Sequence, residues 1–98
     1  MPRVLLHVVH HPHPEHLDDL LAAMRRLTAA AEGLDGLEEI GAFLDRDAMQ
    51  VIAISVWSSA ETLQAGSATL FAGLGDVPFD EWERRPSELL TLPEVAGG

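Results

Sequence analysis

Histidine is the residue type with the widest chemical range in this sequence, and its five copies fall within ten positions: His7, His10, His11, His13 and His16. Neutral imidazole is the commonest metal ligand in proteins, so the cluster raises the question of a metal site. A catalytic metal needs about three protein ligands in a fixed geometry, and the spacing here matches no known ligand motif. We therefore predict no metal site and interpret the four histidines after His7 as solvated residues of a turn and a helix start.

His7 stands apart because it falls inside a predicted strand, on the same side as Leu5 and Val9 by alternation. Imidazole ionises near neutral pH, so His7 is a candidate general base and is predicted as a catalytic residue. The alternative is structural: His7 could hydrogen-bond a neighbour across the sheet or a dimer interface, since no orienting partner is visible in the sequence.

Trp57 ends the apolar, β-branched run at positions 51–57 and stands directly before a helix start. Ser58 and Glu61 have the spacing of a capping box, which predicts where that helix begins. A large aromatic residue at such a junction either lines a pocket, stacking on a flat ligand, or fills the core. The other aromatic residues are further candidates for substrate binding, with core packing as the alternative: Phe43, Phe71, Phe79 and Trp82.

The composition excludes several classes of partner. The formal net charge is −10, from 16 acidic residues against 6 arginines and no lysine, so binding to nucleic acid or to anionic membranes is not expected. No apolar run approaches the roughly 20 residues of a membrane span, and the N-terminal residues lack the pattern of a secretory signal. Cysteine is absent. We expect a cytoplasmic protein, and the lysine-free composition is typical of a GC-rich bacterial genome.

These residues must be positioned by six main elements. The hydrophobic pattern predicts strands over 4–9, 37–44, 49–57 and 87–92, helices from 14 and from 59 onward, and a short helical turn at 79–85. The order β-α-β-β-α-β is typical of the α+β, ferredoxin-like split β-α-β fold with a four-stranded antiparallel sheet. The length of 98 residues fits a single domain over 1–98.

Two helices can cover only one face of such a sheet. The first and third strands are apolar on both faces, so the second face needs a cover of its own. A homodimer whose sheets pack face to face is the simplest solution.

The sequence also resembles a known family. The third strand ends in Val56-Trp57-Ser58-Ser59-Ala60-Glu61, and Pro78-Phe79-Asp80-Glu81-Trp82-Glu83 followed by Arg85-Pro86 precedes the last strand. Both pieces are similar to the antibiotic biosynthesis monooxygenase-like family of the dimeric α+β barrel superfamily.

The resemblance implies a pocket in each protomer, between the sheet and the helices. It also implies oxidation of a planar aromatic, a polyketide-type phenol or hydroquinone, by O2 without any cofactor. Trp57 would then stack on the ligand while His7 removes a proton. The haem-degrading branch of the superfamily uses a histidine on the second helix. This chain has no histidine after His16, so haem degradation is not expected. Two alternatives stay open: a non-catalytic protein that binds a small hydrophobic molecule, and an isomerase or cyclase.

Overall fold

The computed structural model describes residues 2–97. Four strands and three helices follow one another in the predicted order, and a short 3₁₀ turn at Pro14–His16 precedes the first helix. Their bounds are β1 (Val4–His10), α1 (Leu17–Ala30), β2 (Leu37–Asp45), β3 (Gln50–Trp57), α2 (Ala60–Leu74), α3 (Phe79–Trp82) and β4 (Glu88–Pro93).

The strands form one sheet in the order β2-β3-β1-β4, and every neighbouring pair is antiparallel. β1 is central and pairs with both β3 and β4, which is the arrangement of the split β-α-β fold. The predicted ferredoxin-like α+β fold is therefore confirmed.

The start of α2 differs from the prediction by one residue. Ser59 is the N-cap, and its Oγ accepts a hydrogen bond from the backbone N–H of Thr62 at 3.2 Å. Thr62 Oγ1 accepts in return from the backbone N–H of Ser59 at 3.2 Å. The predicted capping box of Ser58 with Glu61 was thus wrong. The backbone N–H of Ser58 donates instead to the carbonyl of Gly36 at 2.7 Å, so Ser58 extends the pairing at the end of β3.

The two long helices lie on one face of the sheet and bury two apolar clusters against it. Along α2, Leu63 and Leu70 pack against Trp57 and Val4 of the sheet. Toward the β2–β3 turn, Val51 packs with buried residues of α1: Leu17, Leu20 and Met24. Val4, Leu6, Val8 and His10 of β1 therefore point toward the helices, since alternate residues of a strand share a face.

The opposite face of the sheet has no helix over it within residues 2–97. Because paired residues of antiparallel strands point to the same side, this face carries His7 together with its partners Ile54 and Leu90. The remaining apolar members are Leu5, Val9, Phe43, Ile52, Val56 and Leu92. We call this surface the open face. Phe43 is 61% exposed and Leu90 52%, so large apolar side chains meet solvent here.

Among the described residues, no helix has both the length and the apolar character needed to cross a bilayer.

Candidate functional site

A cavity of about 170 Å³ lies between the sheet and the two long helices. Apolar side chains make up most of its wall, among them Val8, Met24, Leu27 and Leu70. An apolar cavity of about 150 Å³ is large enough to hold benzene. The cavity therefore has room for one aromatic ring.

Trp57 forms one wall of the cavity and is fully buried. Its indole Nε1–H donates to Ser55 Oγ at 2.8 Å, so its polar atom is satisfied within the protein. Gly66 of α2 leaves the space for the ring, because a Cβ there would lie 2.2 Å from Cζ3 and 2.3 Å from Cη2 of Trp57. The indole is thus fixed in place and offers the cavity a flat apolar surface.

Among residues 2–97, His10 is the one titratable residue that lines the cavity. It is buried, and its Nδ1 lies 3.1 Å from Oε2 of Glu83, a carboxylate that is buried as well. An ionised carboxylate only accepts hydrogen bonds, so we assign the Nδ1–H tautomer to His10. Its Nε2 then carries a lone pair, and no side chain in the described residues hydrogen-bonds to that atom.

Glu83 and Phe79 hold the imidazole of His10 from two sides. The other oxygen of Glu83, Oε1, accepts the backbone N–H of His11 at 2.9 Å, which anchors the carboxylate. The Phe79 ring stacks on the imidazole with centroids 5.8 Å apart and an interplanar angle of 18°. His10 is therefore a histidine with both an orienting carboxylate and a fixed ring plane, which is the arrangement that a general base needs.

Backbone hydrogen bonds bring Glu83 to His10. The segment after α3 runs antiparallel to the turn after β1: the N–H of His13 donates to the carbonyl of Trp82 at 2.7 Å, and the N–H of Arg84 donates to that of His11 at 2.8 Å. The Arg84 guanidinium donates to the carbonyls of Pro12 at 3.2 Å and Met49 at 2.8 Å. Arg84 thus ties this segment to the β2–β3 turn.

This segment also corrects the prediction for the histidine cluster. His10 and His11 are buried, not solvated, because β1 extends through His10 and the segment after α3 covers the turn. His11 is fully buried, and its Nε2 pairs with Glu88 Oε2 at 2.8 Å. His16 is partly exposed, pairs with Asp19 at 3.1 Å and stacks on Trp82 at a centroid distance of 6.4 Å. Within residues 2–97, no group of three or more His, Cys, Asp or Glu side chains is placed to hold a metal ion.

The structure divides the residues that the sequence proposed for the site. Trp57, Phe71 and Phe79 line the cavity. Trp82 packs beneath it in the apolar cluster around Leu17 and contacts the Phe79 ring edge-on at 6.1 Å.

His7 and Phe43 lie on the open face, so His7 and Trp57 are on opposite sides of the sheet. The prediction that these two residues act together does not fit this arrangement. His10, three residues along β1, is the histidine that shares the cavity with Trp57.

Solved structures of other proteins share this architecture. The chain superposes on Rv0793 from Mycobacterium tuberculosis with a TM-score of 0.84, at 14% identity and 97% coverage of both chains. It superposes on a variant of SnoaB, a cofactor-independent oxygenase from Streptomyces nogalater, with a TM-score of 0.78, at 14% identity, covering 99% of this chain and 97% of that one.

A third structure, an antibiotic biosynthesis monooxygenase, gives a TM-score of 0.80 at 20% identity, covering 95% of this chain and 99% of that one. The chain has the fold of the antibiotic biosynthesis monooxygenase-like proteins. No protein-family model matches its sequence, and no curated protein does. The TM-scores of 0.78 to 0.84 show that the fold is shared, whereas sequence identities of 14% to 20% carry no activity over to this chain.

Proposed function

We propose that the protein is a cofactor-independent monooxygenase that acts on a small planar aromatic, a phenol or hydroquinone of a single ring. The observation that carries the proposal is the His10–Glu83 pair in the wall of an apolar cavity that also contains Trp57. A neighbour with the same fold is a cofactor-independent oxygenase, which supports O2 as the oxidant.

His10 supplies the acid–base chemistry in this proposal. A ring stacked on Trp57 presents its hydroxyl to Nε2 of His10, which takes the proton. The Glu83 carboxylate accepts from Nδ1–H of His10, which holds the imidazole in the tautomer and orientation in which Nε2 can take that proton.

Oxygen then reacts with the phenolate. The phenolate gives one electron to O2, and the resulting radical pair couples to form a C–O bond at a ring carbon that carries a hydrogen. The His10 imidazolium returns its proton to the peroxide. The ring C–H proton leaves, the C–H electron pair forms C=O, and the O–O bond breaks to release hydroxide, which combines with that proton. One phenol and one O2 give one quinone and one water.

The cavity volume selects the substrate class. Room for about one ring excludes the fused three-ring phenols of polyketide type from the cavity in this conformation. Its apolar wall also favours a neutral ligand over a charged one, because burying an unpaired charge costs several kcal/mol.

We also propose that two copies pack open face to open face as a homodimer. The open face is apolar over the central strands, and His7 lies in its middle between Ile54 and Leu90. This places His7 in the interface as a structural residue. The cavity lies on the other side of the sheet, so each protomer keeps its own site.

Oxygen uptake is the direct test. We expect substrate-dependent O2 consumption with single-ring hydroquinones or phenols, and little with an anthrone. His10→Gln should lower the rate at least about 100-fold, the typical contribution of general acid–base catalysis. His13→Gln is the matched control, because the His13 side chain lies outside the cavity wall. Equal rates for the two variants would refute the role of His10.

The same pair also supports an isomerase or cyclase, which needs a base but no oxidant. Product formation under argon that is lost in His10→Gln would favour that activity. Micromolar binding of phenol with no turnover, aerobic or anaerobic, would instead indicate a non-catalytic binding protein.

A further inference from the structure

Two large side chains of the cavity wall are more than half exposed. Most residues of the wall are buried or half-buried, but Phe71 of α2 is 53% exposed and Leu89 of β4 is 59% exposed. A residue that lines a cavity and is also more than half exposed stands at its opening. Ala42 is a third exposed wall residue, but it lies on β2, the opposite edge strand, and carries only a methyl group.

Leu89 is fixed on the helix side of the sheet. It pairs with Val8, which points toward the helices, so Leu89 points the same way. The preceding residue, Glu88, bonds through Oε2 to Nε2 of the fully buried His11 at 2.8 Å, and this anchors the start of β4. Both residues line the cavity on the helix side of the sheet, away from the open face that the proposed homodimer would bury.

We propose that Phe71 and Leu89 form an aperture that limits the ligand of this cavity to a single aromatic ring. The inference rests on the proposed function for the class of ligand, and it adds two residues that set ligand size. A second fused ring would extend from the cavity, which holds about one ring, into the space that the Phe71 phenyl and the Leu89 isobutyl groups occupy. Truncation of either side chain opens that space.

Binding under argon tests the aperture without any turnover. Titration calorimetry would compare phenol with 1-naphthol on the wild type, Leu89→Ala and Phe71→Ala. We expect the wild type to prefer phenol. Each truncation should raise the naphthol-to-phenol affinity ratio at least about tenfold, because the added ring then becomes buried.

Leu90→Ala is the matched control. Leu90 is the next residue of the same strand and is similarly exposed, at 52%, but it points to the open face. We expect its affinity ratio to equal that of the wild type. A ratio that stays within about twofold of the wild type in both truncations, or that shifts equally in Leu90→Ala, would overturn the proposal.

The outcomes also separate this inference from the proposed function. A shifted ratio without any O2 uptake would support the aperture and refute the oxygenase. O2 uptake by the wild type with an unshifted ratio would do the reverse. If the wild type binds neither phenol nor naphthol, both proposals are wrong.

Discussion

Gly66 lies where α2 meets the buried indole of Trp57, and its replacement by alanine has a predictable cost. A methyl group there would lie 2.2 Å from Cζ3 of Trp57, well inside van der Waals contact. The ring is fully buried and its Nε1 is bonded to Ser55, so it has little freedom to retreat. Overpacking of a core costs about 1–3 kcal/mol, and a rigid ring places Gly66→Ala near the upper end.

Alanine also favours the helix over glycine by about 1 kcal/mol, which offsets part of that cost. We therefore expect a net destabilisation of about 2 kcal/mol, equivalent to a loss of roughly 1 M in the urea midpoint. Gly73 is the matched control in the same helix, because a Cβ there meets nothing within 4 Å. Gly73→Ala should stabilise the protein by about 0.5–1 kcal/mol.

Urea unfolding at equal protomer concentration measures both variants, since a dimer's stability depends on concentration. The displaced indole should also weaken phenol binding in Gly66→Ala and leave it unchanged in Gly73→Ala. If Gly66→Ala gains as much stability as Gly73→Ala, the close packing of Trp57 against α2 is wrong.

Three further perturbations test an ion pair, a buried hydrogen bond and the open face. The Arg3 guanidinium holds the pKa of Glu94 below its usual value through a hydrogen bond, so this ion pair contributes stability at neutral pH that is lost as the pH falls through the lowered pKa. In urea unfolding, Glu94→Gln should be less stable than the wild type at pH 7, and a difference in stability that persists in acid would contradict this. Ser55→Ala leaves the indole N–H of Trp57 unpaired in the core and should cost about 1–3 kcal/mol of unfolding free energy. A cost near zero in the same assay would show that the hydrogen bond from Trp57 to Ser55 does not stabilise the fold. Phe43→Glu places a carboxylate on the open face, where it stays exposed in a single protomer but would be buried in the homodimer. Sedimentation should show the wild type at twice the 10.6 kDa protomer mass and the variant as a monomer, and a monomeric wild type would refute the homodimer.

The fold was predictable because its signals are local. The alternation of the strands, the proline at position 14 and the apolar spacing of α1 each act over a few residues, and together they specify the element order. The position of Trp57 was predictable for the same reason, since the end of an apolar strand is visible in the sequence. The α2 cap was displaced by one residue because Ser58 bonds to Gly36, which is distant in sequence and carries no pattern.

The site was only partly predictable, because its chemistry depends on contacts between distant residues. Glu83 is 73 positions from His10 in the sequence, and no local pattern near either residue predicts that they pair. Alternation along β1 shows that His7 and His10 point to opposite sides of the sheet. Because both faces of β1 are apolar, it does not show which side the helices cover. That choice decides which histidine enters the cavity, and packing determines it.

Nitrogen-15 NMR of labelled histidine would show whether His10 presents an unprotonated Nε2 to a ligand in the cavity. At pH 8, with His10→Gln assigning the signal, we expect the Nδ1–H tautomer for His10 and a shift of its Nε2 resonance when phenol is added, with the His13 resonances unchanged. An Nε2–H tautomer for His10, or a phenol-bound protein in which the His10 resonances do not move, would contradict this expectation.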